Sequence, residues 1–325
     1  MFYGVINESY DYAAYLEMEL DNSLLFFKSL DIVQESGIQV VQEGVWSTIK
    51  EKISELWTKF KNWVKGIWEK IKSIFTKSED AVKKAEETNN AIQKVDENKP
   101  VDNAENTKDE NNPTDDNAEN AKIDNSTQSA ETNNDESYDG KKYYLAKLDK
   151  ITEIKKETSK LHQSIDNNIS KLTEEIADEL HKNLPEYTKS MDEYVKNFEN
   201  ETFIENQVEY KSVGECKKLS QKITDATKNI GKIIKELEKQ CTETNSIISD
   251  LDGKIAKVSN EKEINGTIDF NGNKVSPDTY AKCLSVMVEM LKISVGGASK
   301  GIVISENKQS ANNAALTSLK KFLKA

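Results

Sequence analysis

Apolar residues recur along this chain at steps of three and four, and those stripes divide it into segments. The strongest runs from Val45 to Phe75. With Trp46 as origin and about 100° per residue, Ile49, Ile53, Leu56, Trp57, Phe60, Trp63, Val64, Ile67, Trp68, Ile71, Ile74 and Phe75 fall within an arc of roughly 140°. Lys52, Lys59, Lys61, Lys65, Lys70, Lys72 and Lys77 lie outside that arc, and Lys50 sits at its edge. The pattern predicts a cationic amphipathic helix roughly 45 Å long. All four tryptophans of the protein share its apolar face.

From about Lys141 a second stripe begins: Leu145, Leu148, Ile151, Ile154, Leu161, Ile165, Ile169, Leu172, Ile176, Leu180 and Leu184. It predicts one long helix that Pro185 stops, then a short helix through Met191 and Tyr194. A third stripe, from Leu219 through Ile230, Leu237 and Thr244 to Val258, steps by four and three in coiled-coil fashion, with one stutter at Leu237. The two long helices are expected to pair antiparallel within the chain, because the segment between them gives room to turn back. Beyond Lys257 the period changes. Gly266 to Phe270 followed by Asn271-Gly272 predicts a β-hairpin within residues 264–275. Ser276-Pro277 supplies an N-cap and first position for a helix burying Tyr280, Cys283, Leu284, Met287, Met290 and Leu291. Gly296-Gly297 is expected to break that helix, leaving a last short one through Leu316, Leu319 and Phe322.

Composition then sets the boundaries. Residues 1–43 are acidic, with Lys28 the only basic side chain, and read as one or two short helices. Residues 44–77 hold the cationic helix. Residues 78–140 are rich in Asn, Asp, Glu, Lys and Thr and contain a near-repeat, Asp102 to Asn106 and Asp116 to Asn120. With so few apolar side chains to offset chain entropy, this stretch is expected to be a disordered linker. Residues 141–325 form a helical domain. The fold class expected is therefore mainly α: N-terminal amphipathic helices, a disordered acidic linker, and a C-terminal long-helix bundle or coiled coil with a small β-hairpin.

Charge and chemistry narrow the function. A formal charge of −12 argues against binding duplex nucleic acid through a general basic surface. Cys216, Cys241 and Cys283 are widely spaced and fall on or beside apolar stripes, which predicts buried free thiols made in a reducing cytoplasm. The start of the chain lacks a secretory pattern, and no run of about 18 uncharged apolar residues exists to span a membrane. His162 and His181, the only histidines, have no helical partner at i,i+4 and are expected on solvent-facing positions. No catalytic motif, cofactor loop or metal spacing appears, so a non-enzymatic protein without cofactors is expected.

The cationic helix is the remaining candidate site, with Trp46, Ile53, Trp57, Phe60, Trp63, Trp68, Ile71 and Phe75 as its binding face. Tryptophan on one face and lysine on the other suit an in-plane helix on an anionic membrane. The same stripe suits packing against protein. An acidic, partly apolar segment directly ahead can fold back on the helix as a hairpin, masking it until that segment is removed.

The junction between the two carries a further pattern. Val41, Glu43 and Gly44, and eight residues earlier Val33, Glu35 and Ser36, each place an aliphatic residue two before a glutamate that precedes a small residue. This resembles the cleavage pattern of prohead proteases in large tailed phages, which remove acidic propeptides from capsid and internal head proteins. The resemblance covers about ten residues and the acidic character of the segment before them. It implies a precursor processed after Glu43, whose mature form starts at Gly44 and resides inside the virion head after synthesis in the host cytoplasm. Capsid or other virion proteins, a second copy, or an anionic membrane would then be partners, besides the protease itself. Two alternatives stand beside it: a membrane-active effector working through the cationic helix, and a coiled-coil adaptor binding through the C-terminal region alone.

Overall fold

The computed structural model describes residues 14–28, 45–97, 142–144, 151–200, 203–205, 212–270 and 272–324. Helix α1 covers residues 14–28. It is followed by α2 (Val45–Gln93), β1 (Lys142–Tyr144), α3 (Ile151–Asn168), α4 (Glu174–Glu199) and β2 (Phe203–Glu205), then α5 (Val213–Ser259), β3 (Ile268–Phe270), β4 (Asn273–Val275) and α6 (Pro277–Phe322). The fold is mainly α, with the expected hairpin: β3 and β4 pair antiparallel, Ile268 opposite Val275, around Gly272 at φ +84°. A second antiparallel pair, β1 with β2, was not signalled by the sequence.

Helix α6 is the axis of the bundle, and α1 to α5 all pack on it. Its buried positions run round the whole circumference, from Tyr280 through Leu291 and Ile302 to Leu319. A helix apolar on every side must be surrounded. Its start follows the sequence signal, with the Ser276 hydroxyl accepting from the Thr279 amide and Pro277 in the first turn. It does not break at Gly296-Gly297. There α4 approaches closely, and a Cβ on Gly297 would collide with the Met191 thioether; farther along, a Cβ on Gly301 would lie 2.9 Å from Leu237. Gly297 and Gly301 make room for neighbouring helices, which outweighs a helix-propensity cost of about 1 kcal/mol each.

The second stripe is two helices rather than one. The chain turns between Asn168 and Glu174 with Leu172 at φ +36°, and Thr173 caps α4 through its side chain. Pro185 lies inside α4 instead of ending it. The hydrogen bond it removes belongs to the carbonyl of His181, an exposed residue. Leu184, Tyr187, Met191, Val195 and Phe198 continue the buried face past it. Because α4 takes the chain back, α3 and α5 run parallel, not antiparallel: Lys155 meets Glu236, His162 meets Thr244, and Lys254 meets Ser170.

Helix α2 also departs from expectation. It continues through residues 78–93, the first part of the segment read as a linker. Ser78, Val82, Ala85, Asn89 and Ile92 carry its inner face on in steps of four and three, antiparallel to α5. Ala85 and Ile92 join Cys216, Leu219, Ile223, Leu316 and Leu319 in a second, smaller core. Between the two cores lies a polar belt. Ser220 donates to the Asn89 side-chain Oδ1, Asn89 donates to the Gln221 side chain (2.9 Å), and Gln309 donates to the Thr227 backbone carbonyl (3.1 Å). Asn313 donates to the Ala81 carbonyl (3.0 Å). Residues 98–140, with the near-repeat, lie outside the described residues.

Candidate functional site

The face expected to bind a membrane or a partner is turned inward. Trp46, Ile53, Trp57, Phe60, Trp63 and Ile71 are buried in the main core, and Trp68 and Phe75 pack against it half-buried. Packing against protein is therefore the observed use of the stripe, with α5 and α6 as its partners. Each indole at the edge of the interface has an acceptor. Trp46 donates to the Glu261 carbonyl (3.2 Å), Trp57 to the Asp252 carboxylate (2.6 Å) and Trp68 to the Asn245 side chain (3.1 Å). A buried ring with a satisfied N–H suits an apolar interface with a wet edge.

Four lysines of α2 meet carboxylates from within the chain. Lys61 reaches Asp252 at 2.7 Å and Lys77 reaches Glu306 at 3.3 Å. Lys52 and Lys59 both hold Glu55, at 2.9 and 2.8 Å, and keep its carboxyl below the usual carboxylate range. Lys59 also meets Glu19 of α1 at 3.4 Å.

That last pair belongs to the docking of the acidic helix. Helix α1 runs antiparallel to α2 and buries Leu20, Leu24 and Phe27 in the main core, with Leu16 half-buried over Gly66. Its carboxylates meet lysines of both flanking helices: Glu19 with Lys59, Glu17 and Asp21 with Lys292 of α6. Lys28 meets Glu289 at 3.3 Å, and Lys52 lies over the Phe26 ring. An open groove of about 580 Å³ runs along this seat, between α1 and α4, over Trp63, Ile67, Met191, Val195 and Ile293. The outer side of α1 leaves Tyr15, Met18 and Leu25 exposed.

The expected hairpin of acidic and cationic helices is thus present, although α1 lies only along the Trp63 side; Trp57 and Trp68 are met by α5, and Trp46 by Glu261 and by Tyr280 of α6. Sequence reasoning missed the floor that α4 and α6 contribute to the groove. The signal for it was the pair Gly296-Gly297, read instead as a break. The candidate cleavage residues Val33, Glu35, Ser36, Val41, Glu43 and Gly44 lie outside the described residues.

The remaining reactive groups are inward or scattered. His162 is buried, contrary to expectation, because α5 and α6 close over its face of α3; its Nε2 lies 2.9 Å from both the Thr244 and Ser294 hydroxyls. Burial holds this imidazole below its ordinary value, against the opposing pull of Glu243. His181 is exposed beside Leu184 and Pro185. The three thiols are buried and in no disulfide, and desolvation pushes Cys216 up to about 11 and Cys241 and Cys283 to about 12. Among the described residues, no three His, Cys, Asp or Glu side chains converge as a metal site, and no helix is long and apolar enough to cross a membrane. Comparisons with protein-family models, curated proteins and solved structures return no match.

Proposed function

We propose that this chain is a non-enzymatic structural protein of a phage virion, held inside the head. It is made as a precursor whose acidic N-terminal segment covers part of the bundle until a prohead-type protease cuts after Glu43. The observation that carries this reading is the seating of α1. An acidic helix lies along α2 and α6 through three buried apolar side chains and a set of surface ion pairs. The chain leading from it into α2 contains both cleavage patterns. Cutting there would leave α1 held by noncovalent contacts alone, and its departure would uncover apolar surface for capsid or other virion proteins.

The seat of α1, which takes in only Trp63 and Ile67 from the edge of the tryptophan stripe, is the docking surface of this reading. An in-plane membrane helix would have to withdraw its apolar face from α5 and α6, which the indole hydrogen bonds oppose. The adaptor alternative required a C-terminal region independent of residues 1–140. Since α2 fills both cores, that truncation removes part of the fold. Intact-mass and N-terminal analysis of the protein from assembled particles tests the proposal. A chain beginning at Gly44 is the expected result; one beginning at Met1 overturns it.

A further inference from the structure

The seat of α1 has a chemistry of its own. Leu20, Leu24 and Phe27 sink into the main core and Leu16 rests over Gly66, while Trp63 and Ile67 of α2 and Ile293 of α6 line the groove left open beside Leu24. Its rim sets Lys59 on one helix and Lys292 on the other against the carboxylates of α1, and Glu289 against Lys28 at the end of α1. The helix resting in it presents Leu16, Leu20, Leu24 and Phe27 at i, i+4, i+8 and i+11, with carboxylates at 17, 19 and 21 turned towards those lysines. A groove lined this way discriminates by two independent features: the spacing of large apolar side chains, and the sign of charge along their edges.

We infer that this groove is a receptor for an acidic amphipathic helix supplied in trans, and that α1 is its tethered stand-in. This rests on the reading that residues 1–43 are a removable mask and names what replaces them. Before the cut, the covalent connection gives α1 the advantage of a high effective concentration over any free competitor. After the cut that advantage disappears, and a partner helix of the same pattern competes on contacts alone. Charge complementarity makes the choice directional: a basic amphipathic helix of equal apolarity would bring lysine against Lys59 and Lys292.

The test uses the full chain with a specific protease site replacing residues 36–42, cut after folding so that every other residue is retained. A fluorescent peptide of residues 11–30 is titrated into the nicked protein and followed by anisotropy. Saturable binding is expected, weakened at least tenfold by Leu20→Ala with Leu24→Ala in the peptide, and weakened by raised salt. Lys59→Glu with Lys292→Glu in the protein should abolish binding of that peptide. A peptide carrying Glu17→Lys, Glu19→Lys and Asp21→Lys should restore it. Equal binding of a scrambled peptide, or no rescue by the charge-reversed one, overturns the inference. So does loss of cooperative unfolding on nicking, since α1 would then be part of the fold and not an exchangeable occupant. The result is independent of where the particle-derived chain begins, so failure of the processing step and failure of the groove are told apart.

Discussion

The Trp57 indole and the Lys61 ammonium meet the same carboxylate oxygen of Asp252, at 2.6 and 2.7 Å. One turn of α2 is thereby fastened to α5 by a group that accepts from an apolar ring's polar edge and from a cation together. These two donors hold the Asp252 carboxyl below its usual range. A folded-state value below the unfolded one stabilises the protein above the ordinary carboxylate pKa, and this is lost as pH falls through the folded value. Asp252 is about half exposed, so solvent screens the pair, and Asp252→Ala should cost about 0.5–1 kcal/mol at pH 7 by urea denaturation, chiefly the lost hydrogen bonds. The difference from wild type should shrink towards pH 3, and a constant difference across that range would contradict the assignment.

His162 has the opposite partner chemistry and the same direction of dependence. Its folded-state value is lowered by burial, so the unfolded chain takes up a proton first as pH drops below about 6.5. Stability should decline from pH 7 towards pH 5 and level off below the folded value. His162→Gln removes that slope while keeping a polar group near Thr244 and Ser294. Urea midpoints of the two proteins across this window check it: the deficit of the variant should be largest at pH 7 and narrow towards pH 5.

Gly296 and Gly297 are neighbours with different surroundings. A Cβ on Gly296 meets nothing within 4 Å, whereas one on Gly297 displaces the buried Met191 side chain. Gly296→Ala should raise stability by about 0.5–1 kcal/mol through helix propensity. Gly297→Ala should fall below wild type in thermal unfolding. Two equal gains would mean that α4 does not approach α6 there.

The thiols should be silent in the native state. With Cys216 at about 11 and Cys241 and Cys283 at about 12, the thiolate fraction at pH 8 is small and access is closed. A disulfide reagent at pH 8 should modify none of them until denaturant is added, when all three react. Rapid native labelling of one would place it outside the core.

Much of this architecture is legible from the positions of large aliphatic and aromatic side chains. The stripe from Trp46 to Phe75, the run from Leu219 to Val258 and the Asn271-Gly272 turn each carry enough local signal to identify the element. What the stripes do not carry is their partner. The Trp46 face reads the same whether it meets lipid or α6, because both are apolar. Helix α2 beyond Lys77 was hidden because its inner face uses Ser78, Ala85 and Asn89, which bury only little apolar area or hydrogen-bond instead. The turn at Leu172 was hidden because an apolar side chain kept the period intact through a backbone reversal. At Pro185 and Gly297 the local penalties were read correctly, but contacts with distant helices outweighed them. The groove beside α1 needs three such long-range placements at once, so only its acidic and basic edges could be read in advance.

The central position of α6 also sets an order in time. It is the last described helix to be synthesised, and the tryptophan face of α2 has no complete cover without it. At the usual rate of elongation, roughly 10 to 40 s separate the emergence of Gln93 from that of Pro277. During that interval a nascent chain displays four tryptophans and a row of lysines with α6 still inside the ribosome. The tryptophan face that the finished protein conceals is therefore open on the ribosome before its main cover exists, with only the acidic segment ahead of it available at first as a shield.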